Sequence, residues 1–226
     1  MSGYRHELKY TISYGDYLAI RNRIKELMQT DLHANAEGRY NIYSIYFDNF
    51  NDKALREKII GAQKREKFRI RYYNDDLSHI SLEKKIKNNS LCLKVSTPIK
   101  KEECEKIIFG DLDFMKEHSS ELMRELYFKM KTQLLKPRVR VAYTREPYIY
   151  PVGNVRVTFD FNVRTSLYDN DFFKPTSDIS PMDTGSEVVL EIKYDNFLPD
   201  IIRMLVQTEN IRQNAFSKYG ISRRFG

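Results

Sequence analysis

The sequence has little of what marks several common protein classes. Its 226 residues include only two cysteines, Cys92 and Cys104, and neither lies in a CxxC pair or beside a paired histidine. This pattern is not that of a disulfide framework or a zinc site, and it indicates a reducing compartment. Nine glycines and seven prolines are too few for a low-complexity or collagen-like chain.

Hydrophobic runs are short as well. No run approaches the roughly 20 apolar residues that a membrane span requires, and residues 1–7 contain no hydrophobic core of a signal peptide. We therefore expect a soluble, cytoplasmic protein. The sequence leaves open a membrane partner on another chain.

What the chain does have is charge of both signs, beside enough apolar residues for a core. Hydrophobic residues make up 41% and aromatic residues 13%, which is a globular composition. The length fits one domain or at most two, and we predict a single domain over residues 1–226. Lysine and arginine number 38 against 31 aspartates and glutamates, a net charge of +7. This surplus favours an anionic partner, either phosphate, nucleic acid or an acidic membrane surface.

Hydrophobic periodicity predicts a mixture of strands and helices. The predicted strands span residues 5–12, 40–48, 67–73, 79–87, 91–96, 138–145, 155–164 and 188–194. The predicted helices span residues 16–28, 51–61, 101–135, 197–207 and 211–218, and residues 172–186 are predicted to form a loop.

At least six of these strands combine one apolar face with one charged face. In residues 67–72, Lys67, Arg69 and Arg71 share a face because side chains alternate along a strand. The same alternation aligns Arg5, Glu7 and Lys9; Ser81, Glu83, Lys85 and Lys87; Arg156, Thr158, Asp160, Asn162 and Arg164; Glu191 and Lys193; and Tyr143 and Arg145.

Two arrangements satisfy such strands when helices cover their apolar faces. The sheet either stays open, with its charged face in solvent, or closes with the charges inside and the helices outside. Closure removes exposed strand edges. A closed interior needs opposite charges and water, and a polyanion with a bound metal would satisfy it. The pattern alone leaves both arrangements open.

Eight short motifs occur in order along the chain. They are Arg5-x-Glu7-x-Lys9-Tyr10, Tyr46-Phe47-Asp48, Lys67-x-Arg69-x-Arg71, Glu83-x-Lys85, Tyr143-x-Arg145, Arg156-x-Thr158-x-Asp160, Glu191-x-Lys193 and Ser217-Lys218-Tyr219. Together they resemble the VTC domain, the polyphosphate polymerase branch of the triphosphate tunnel metalloenzymes. The resemblance covers Arg5 to Lys218. It departs from the hydrolase and cyclase members, which often open with Glu-x-Glu-x-Lys, because Arg5 replaces the first glutamate.

The resemblance implies an α+β fold, a closed eight-stranded antiparallel β tunnel with a charged interior and helices packed outside. It also implies the partners ATP and polyphosphate, a Mn²⁺ or Mg²⁺ cofactor, and transfer of the ATP γ-phosphate onto a growing polyphosphate chain. Arginine forks match phosphate oxygens, and hard divalent metals prefer carboxylate oxygens.

The resemblance, read with this chemistry, also gives candidate site residues. The expected catalytic residues are Arg69, Arg71, Arg145, Arg156 and Lys218, and the expected substrate-binding residues are Arg5, Lys9, Lys67, Lys85, Tyr143, Lys193 and Ser217. Glu191 is the first candidate metal ligand, followed by Glu83 and Glu7, which equally suit a structural role beside lysines on the same face. Asp160 suits either a metal ligand or a partner of Arg156, and we expect the partner.

Two other functions remain open at this level. One is a metal-dependent triphosphatase on the same fold, and the other is a polyphosphate-binding module without turnover. A nucleic-acid-binding domain is a third alternative, but it is not expected. The tyrosines and phenylalanines of the basic strands mostly lie opposite the cations, so they are placed to pack in the core and not to stack on bases.

Overall fold

A closed antiparallel sheet organises the chain. The computed structural model describes residues 3–166, 172–173, 180–181, 188–208, 212–213 and 217–223. The eight main strands are β1 (Arg5–Ile12), β2 (Tyr40–Asp48), β3 (Lys64–Tyr73), β4 (Asp76–Asn88), β5 (Leu91–Ile99), β6 (Lys136–Tyr150), β7 (Val155–Ser166) and β8 (Val188–Tyr194). They follow the order β6-β2-β3-β4-β5-β1-β8-β7, and β7 pairs again with β6. The sheet is therefore a closed tunnel, as the resemblance implied.

Most helices lie outside the tunnel and cover its apolar face, whereas Lys218 and Tyr219 of the last helix reach the inward side. The helices are α1 (Tyr14–Lys25), α2 (Lys53–Ile59), α3 (Lys101–Phe109), α4 (Glu121–Thr132), α5 (Asp200–Leu205) and α6 (Lys218–Ser222). Helix α1 begins where the Ser13 side chain accepts a hydrogen bond from the Asp16 N–H at 3.0 Å, an N-cap. Its residues Tyr17, Ile20 and Ile24 form a core cluster with the outward side chains of β7 and β8.

Three short strands and two 3₁₀ turns complete the described secondary structure. The strands are Gln29–Thr30, Ser180–Pro181 and Arg212–Gln213, and the turns are Asp113–Met115 and Val152–Asn154. No helix among the residues with a described structure is long and apolar enough to cross a membrane.

The region predicted to be helical over residues 101–135 contains two helices and a 3₁₀ turn between them. Helix α3 ends at Gly110, whose φ of 85° is in the left-handed region that glycine adopts readily. The 3₁₀ turn then redirects the chain, and α4 starts only at Glu121.

The predicted helix over residues 211–218 was wrong. Arg212–Gln213 pairs with β1, and Lys218 is the first residue of α6. Residues 211 and 214–216 lie outside the described residues. Most of the predicted loop over residues 172–186 lies outside them too.

The charged row predicted along β7 is interrupted. Asn162 has a φ of 50°, and the β6–β7 register shifts nearby, between Ala142 and Thr144. Such a bulge inverts the alternation of side chains beyond it. Val163 consequently joins the inward cluster with Val141 and Tyr143, and the predicted row holds only as far as Asp160.

Candidate active site in the tunnel

The inward faces of the strands carry buried charges in pairs. Six of the charged residues lining the lumen are buried, namely Arg71, Glu83, Arg145, Asp160, Glu191 and Lys218. Burying a charge is costly unless an opposite charge and hydrogen bonds compensate it. The carboxylates therefore organise the lumen into clusters, each holding cations in fixed positions.

Glu83 is the centre of the first cluster. Its Oε2 accepts from Arg69 Nε at 2.7 Å, and its Oε1 accepts from Lys94 Nζ at 3.2 Å. Arg71 Nη1 lies 3.9 Å from Oε2. Burial raises the pKa of Glu83, but Arg69 and Arg71 outweigh it and hold the pKa well below its usual range. Both oxygens are engaged, which supports the structural role for Glu83 over that of a metal ligand.

Asp160 is the centre of the second cluster. Its carboxylate accepts from Arg145 Nε at 2.6 Å and Nη2 at 2.8 Å, and it also binds Lys218 Nζ. Although burial raises the pKa of Asp160, these two cations lower it to about 2. The expected pairing of Asp160 with Arg156 was wrong, because Arg145 lies directly opposite Asp160 in the sheet register. The partner of Arg156 is Asp31, whose carboxylate accepts a hydrogen bond from Arg156 Nη2 at 2.5 Å.

Tyr143 brings three of the predicted catalytic cations together. Its hydroxyl accepts from Arg71 Nη2 at 3.1 Å. Lys218 Nζ lies 4.3 Å from the ring centroid, and Arg145 Cζ lies 5.4 Å from it, both within cation–π range. Arg69 joins the same region through Glu83. Arg156 is tied to Asp31 and Tyr40 and is not part of this convergence.

A third cluster alternates lysines and glutamates across β4, β1 and β8. Lys85 Nζ lies 2.5 Å from Glu7 Oε2, Lys9 Nζ lies 2.9 Å from Glu191 Oε2, and Lys193 Nζ lies 2.6 Å from Glu191 Oε1. Burial opposes ionisation of Lys9, Glu7 and Glu191. The opposite charges prevail, so the pKa of Lys9 is raised and those of both glutamates lie well below the usual range. For Lys193 burial prevails and lowers the pKa to about 8.

This third cluster fits a divalent metal. Glu191 Oε1 is buried and accepts no hydrogen bond of normal geometry from the described residues, although Lys193 lies beside it. Within the described ranges, no three acidic, histidine or cysteine side chains converge as a complete metal site. The protein would thus supply one or two carboxylates, Glu191 and Glu7. Mg²⁺ sites of this kind take their other oxygens from phosphate and water.

Lys67 differs from the other lumenal lysines. No carboxylate of the described residues lies within 4.0 Å of its Nζ, and the ring of Tyr46 is 5.8 Å away. Burial lowers the pKa of Lys67 to about 7. The Tyr46 hydroxyl accepts a hydrogen bond from Arg69 Nη1 at 3.2 Å. Burial raises the pKa of Tyr46, but Arg69, Lys67 and Arg71 outweigh it and lower the pKa.

Two predicted binding residues have structural contacts of their own. Arg5 Nε pairs with Asp195 Oδ1 at 2.7 Å, and its guanidinium also donates to the Asn154 carbonyl. Ser217 caps α6, where its hydroxyl accepts from the Gly220 N–H at 3.2 Å. Direct contact of either residue with a substrate stays a prediction.

Several residues of the lumen escaped the sequence reasoning. Ser44 accepts a hydrogen bond from Arg71, and Tyr40 accepts one from Arg156. The alternation of side chains along β2 could have predicted that both residues face the lumen. Tyr219 and Asp48 occur in two of the motifs, but the hydrogen bond that Tyr219 donates to Asp48 from the inward cluster was not predicted. Asp31 lies in a loop, and no pattern in the sequence predicted its role.

An eight-stranded closed sheet with a lumen of paired charges defines a tunnel-fold protein. The VTC domain family matches residues 4–225, so the chain belongs to the VTC domain family. This membership and the closed sheet confirm the resemblance drawn from the eight motifs.

Solved structures show the same fold at low sequence identity. A protein from Pyrococcus horikoshii OT3 is 14% identical with a TM-score of 0.50, covering 99% of this chain and 100% of that one. A Hippeastrum protein, described as a candidate adenylyl cyclase with dominant triphosphatase activity, is 12% identical with a TM-score of 0.55, covering 99% and 96%. A candidate adenylate cyclase from Bacillus halodurans is 14% identical with a TM-score of 0.50, covering 89% and 86%. No curated protein matches the chain.

Proposed function

We propose that the chain is an ATP-dependent polyphosphate polymerase, which transfers the γ-phosphate of ATP onto a growing polyphosphate chain inside the tunnel. The observation that carries the proposal is the convergence of Arg71, Arg145 and Lys218 on Tyr143. Membership of the VTC domain family supports it.

Phosphoryl transfer depends on positioning and charge neutralisation more than on covalent help from the protein. In the proposed step, an oxygen of the chain's terminal phosphate attacks the γ-phosphorus. The bond from that phosphorus to the β–γ bridging oxygen breaks, and ADP leaves. Arg71 and Arg145 present forks to phosphate oxygens, and Lys218 presents a point charge. Glu83 and Asp160 hold these cations in place before substrate arrives, which lowers the cost of ordering them.

Glu191 is the proposed metal ligand, with Glu7 as the second carboxylate. Mn²⁺ or Mg²⁺, when bound, supplies further charge neutralisation at the phosphates. Lys9 contacts both glutamates, at 3.2 Å and 2.9 Å, and fixes their separation. Lys85 and Lys193 line the same stretch of lumen and would bind phosphates along the chain.

A metal-dependent triphosphatase is the second candidate. The triphosphatase activity in the description of the similar Hippeastrum protein favours it. Water would then replace the phosphate chain as the attacking group. Arg5 counts against this candidate, because it adds a cation where the hydrolase and cyclase motif has a glutamate. A binding module without turnover is the remaining alternative.

Incubation of the purified chain with γ-labelled ATP and Mn²⁺, with products resolved on a gel, separates the candidates. A ladder of labelled chains that exopolyphosphatase degrades supports the polymerase. Labelled free phosphate alone refutes it in favour of the triphosphatase. No turnover, with ATP or polyphosphate still protecting the protein against melting, would indicate the binding module.

A further inference from the structure

Two buried oxygen atoms on neighbouring strands of the tunnel wall lack a hydrogen-bond partner. Thr158 on β7 is 2% exposed and Glu191 on β8 is 4% exposed, and the two are direct partners in the antiparallel register. Thr158 Oγ1 makes no hydrogen bond with any residue that the structure describes, and Glu191 Oε1 makes none either but is in an ion pair with Lys193 Nζ at 2.6 Å. Directly opposed residues carry Cβ atoms about 5 Å apart on the same face of a sheet. The two oxygens can therefore reach one common ligand.

An unpaired buried hydroxyl has a cost. Buried polar side chains are nearly always hydrogen-bonded, and leaving one unpaired costs about 1–3 kcal/mol. A valine would fill the same space at position 158 without that cost. At position 158 a carboxylate, Glu191, lies directly opposite the unpaired hydroxyl, and this position indicates a ligand that the two side chains share.

The chemistry of the two oxygens narrows the class of that ligand. A hydroxyl can donate a hydrogen bond as well as accept one, but Thr158 donates none to the carboxylate opposite it. A cation is a ligand that both oxygens can bind through their lone pairs. The Lys193 ammonium reaches Glu191 Oε1, at 2.6 Å, but leaves Thr158 unpaired. Hard divalent cations accept neutral oxygen ligands together with carboxylates.

We propose that Thr158 Oγ1, together with Glu191 Oε1, is an oxygen ligand of the divalent cation in the tunnel. This inference rests on the metal dependence of the proposed function and adds a residue to it. The lack of a third acidic or histidine ligand among the described side chains agrees with a hydroxyl in that position. The Lys193 side chain is 31% exposed and has room to turn from Glu191 towards a phosphate when the cation binds.

The test measures binding of Mn²⁺ to the full chain by electron paramagnetic resonance of the free ion, without polyphosphate, which itself binds Mn²⁺. Thr158→Val is expected to weaken Mn²⁺ binding about 10-fold, as loss of an oxygen that holds or orients a metal does. Thr158→Ser keeps the hydroxyl and should bind Mn²⁺ as wild type does. Without metal, Thr158→Val should melt at or above the wild-type temperature, because the unpaired hydroxyl is gone.

Thr165→Val is a matched control. Thr165 is on the same strand, is 8% exposed, and also has a buried Oγ1 without a partner among the described residues. It lies seven residues further on, about 20 Å along an extended strand. The control should leave Mn²⁺ affinity unchanged.

The outcomes separate this inference from the proposed function. Equal Mn²⁺ affinity of wild type and Thr158→Val overturns the inference, and so does an equal loss in Thr165→Val. If Thr158→Val does not fold, Thr158→Ala carries the same expectation. Wild-type Mn²⁺ binding that depends on Thr158, with no polyphosphate formed, would refute the polymerase and leave the inference standing. A wild-type chain that binds no Mn²⁺ refutes both the metal site and the inference.

Discussion

The tunnel should take up protons when it binds a polyanion, and Lys67 should accept most of them. Burial lowers the pKa of Lys67 from the ordinary 10.5 to about 7, and Lys85, Lys9 and Arg69 add to the effect while Tyr46 opposes it. A phosphate beside Lys67 would supply the missing counter-charge and favour the ammonium form.

The size of the effect follows from these two pKa values. With a pKa of about 7, Lys67 is about half neutral at pH 7 and about nine-tenths neutral at pH 8. A bound polyanion that restores the ordinary pKa would cause uptake of about 0.9 proton at pH 8. The full change corresponds to at most about 5 kcal/mol, which solvent screening reduces because the side chain is partly exposed. Tyr46 acts in the same direction, because a bound anion also favours its protonated form.

The assay is calorimetry of tripolyphosphate binding at pH 8 in two buffers of different ionisation enthalpy, without metal. Lys67→Arg is the matched variant, because arginine stays charged and keeps the cation in place. The difference between the two proteins cancels protons that the ligand itself takes up. We expect wild type to take up close to one proton more than Lys67→Arg, and its affinity to fall more steeply as pH rises above 7. Equal proton uptake by the two proteins would refute the reasoning.

Three further changes test other parts of the structure. Arg145→Ala should abolish turnover of γ-labelled ATP while far-ultraviolet circular dichroism shows a folded chain, and full activity would contradict the assigned role. Glu146→Ala removes a buried carboxylate that accepts hydrogen bonds from Tyr17 and Arg21. The free energy of unfolding, measured in urea, should therefore fall by about 3–5 kcal/mol. A loss below about 1 kcal/mol would show that Glu146 is not a structural centre. Tyr219→Phe removes a hydrogen bond to Asp48 worth about 1 kcal/mol, and calorimetry should show a melting temperature about 2–4 °C lower. An unchanged melting temperature would show that this bond does not hold α6.

The strands were predictable because their pattern is local. Alternation of charged and apolar residues has a period of two, and the bounds of β1, β2 and β8 came out as predicted. The inward rows on those strands follow from the same period. The break at Gly110 also had a local signal, since glycine ends many helices, and the prediction of a helical region over residues 101–135 did not use it. The pairing of Arg212–Gln213 with β1 is a tertiary contact without such a signal.

The pairing of charges across the lumen could not be predicted from the sequence. Asp160 lies four residues from Arg156 on one strand, yet it binds Arg145, which the register places directly opposite. Register depends on how two distant strands meet, and no single strand contains that information. The bulge at Asn162 changes the inward row for the same reason. Motif order identified the family, while the geometry of each ion pair required the structure.

The cations of the lumen already have counter-ions, which are carboxylates fixed in the tunnel wall. A basic surface patch releases dissolved ions when it binds a polyanion, which makes its affinity fall steeply with salt. Here Arg69, Arg145 and Lys218 would exchange a carboxylate for a phosphate, and few dissolved ions would leave. The affinity should therefore depend only weakly on salt. The displaced carboxylates remain beside the phosphates as like charges, and a divalent cation is what can neutralise them. The pairing of charges in the wall thus gives a physical reason for the proposed metal requirement.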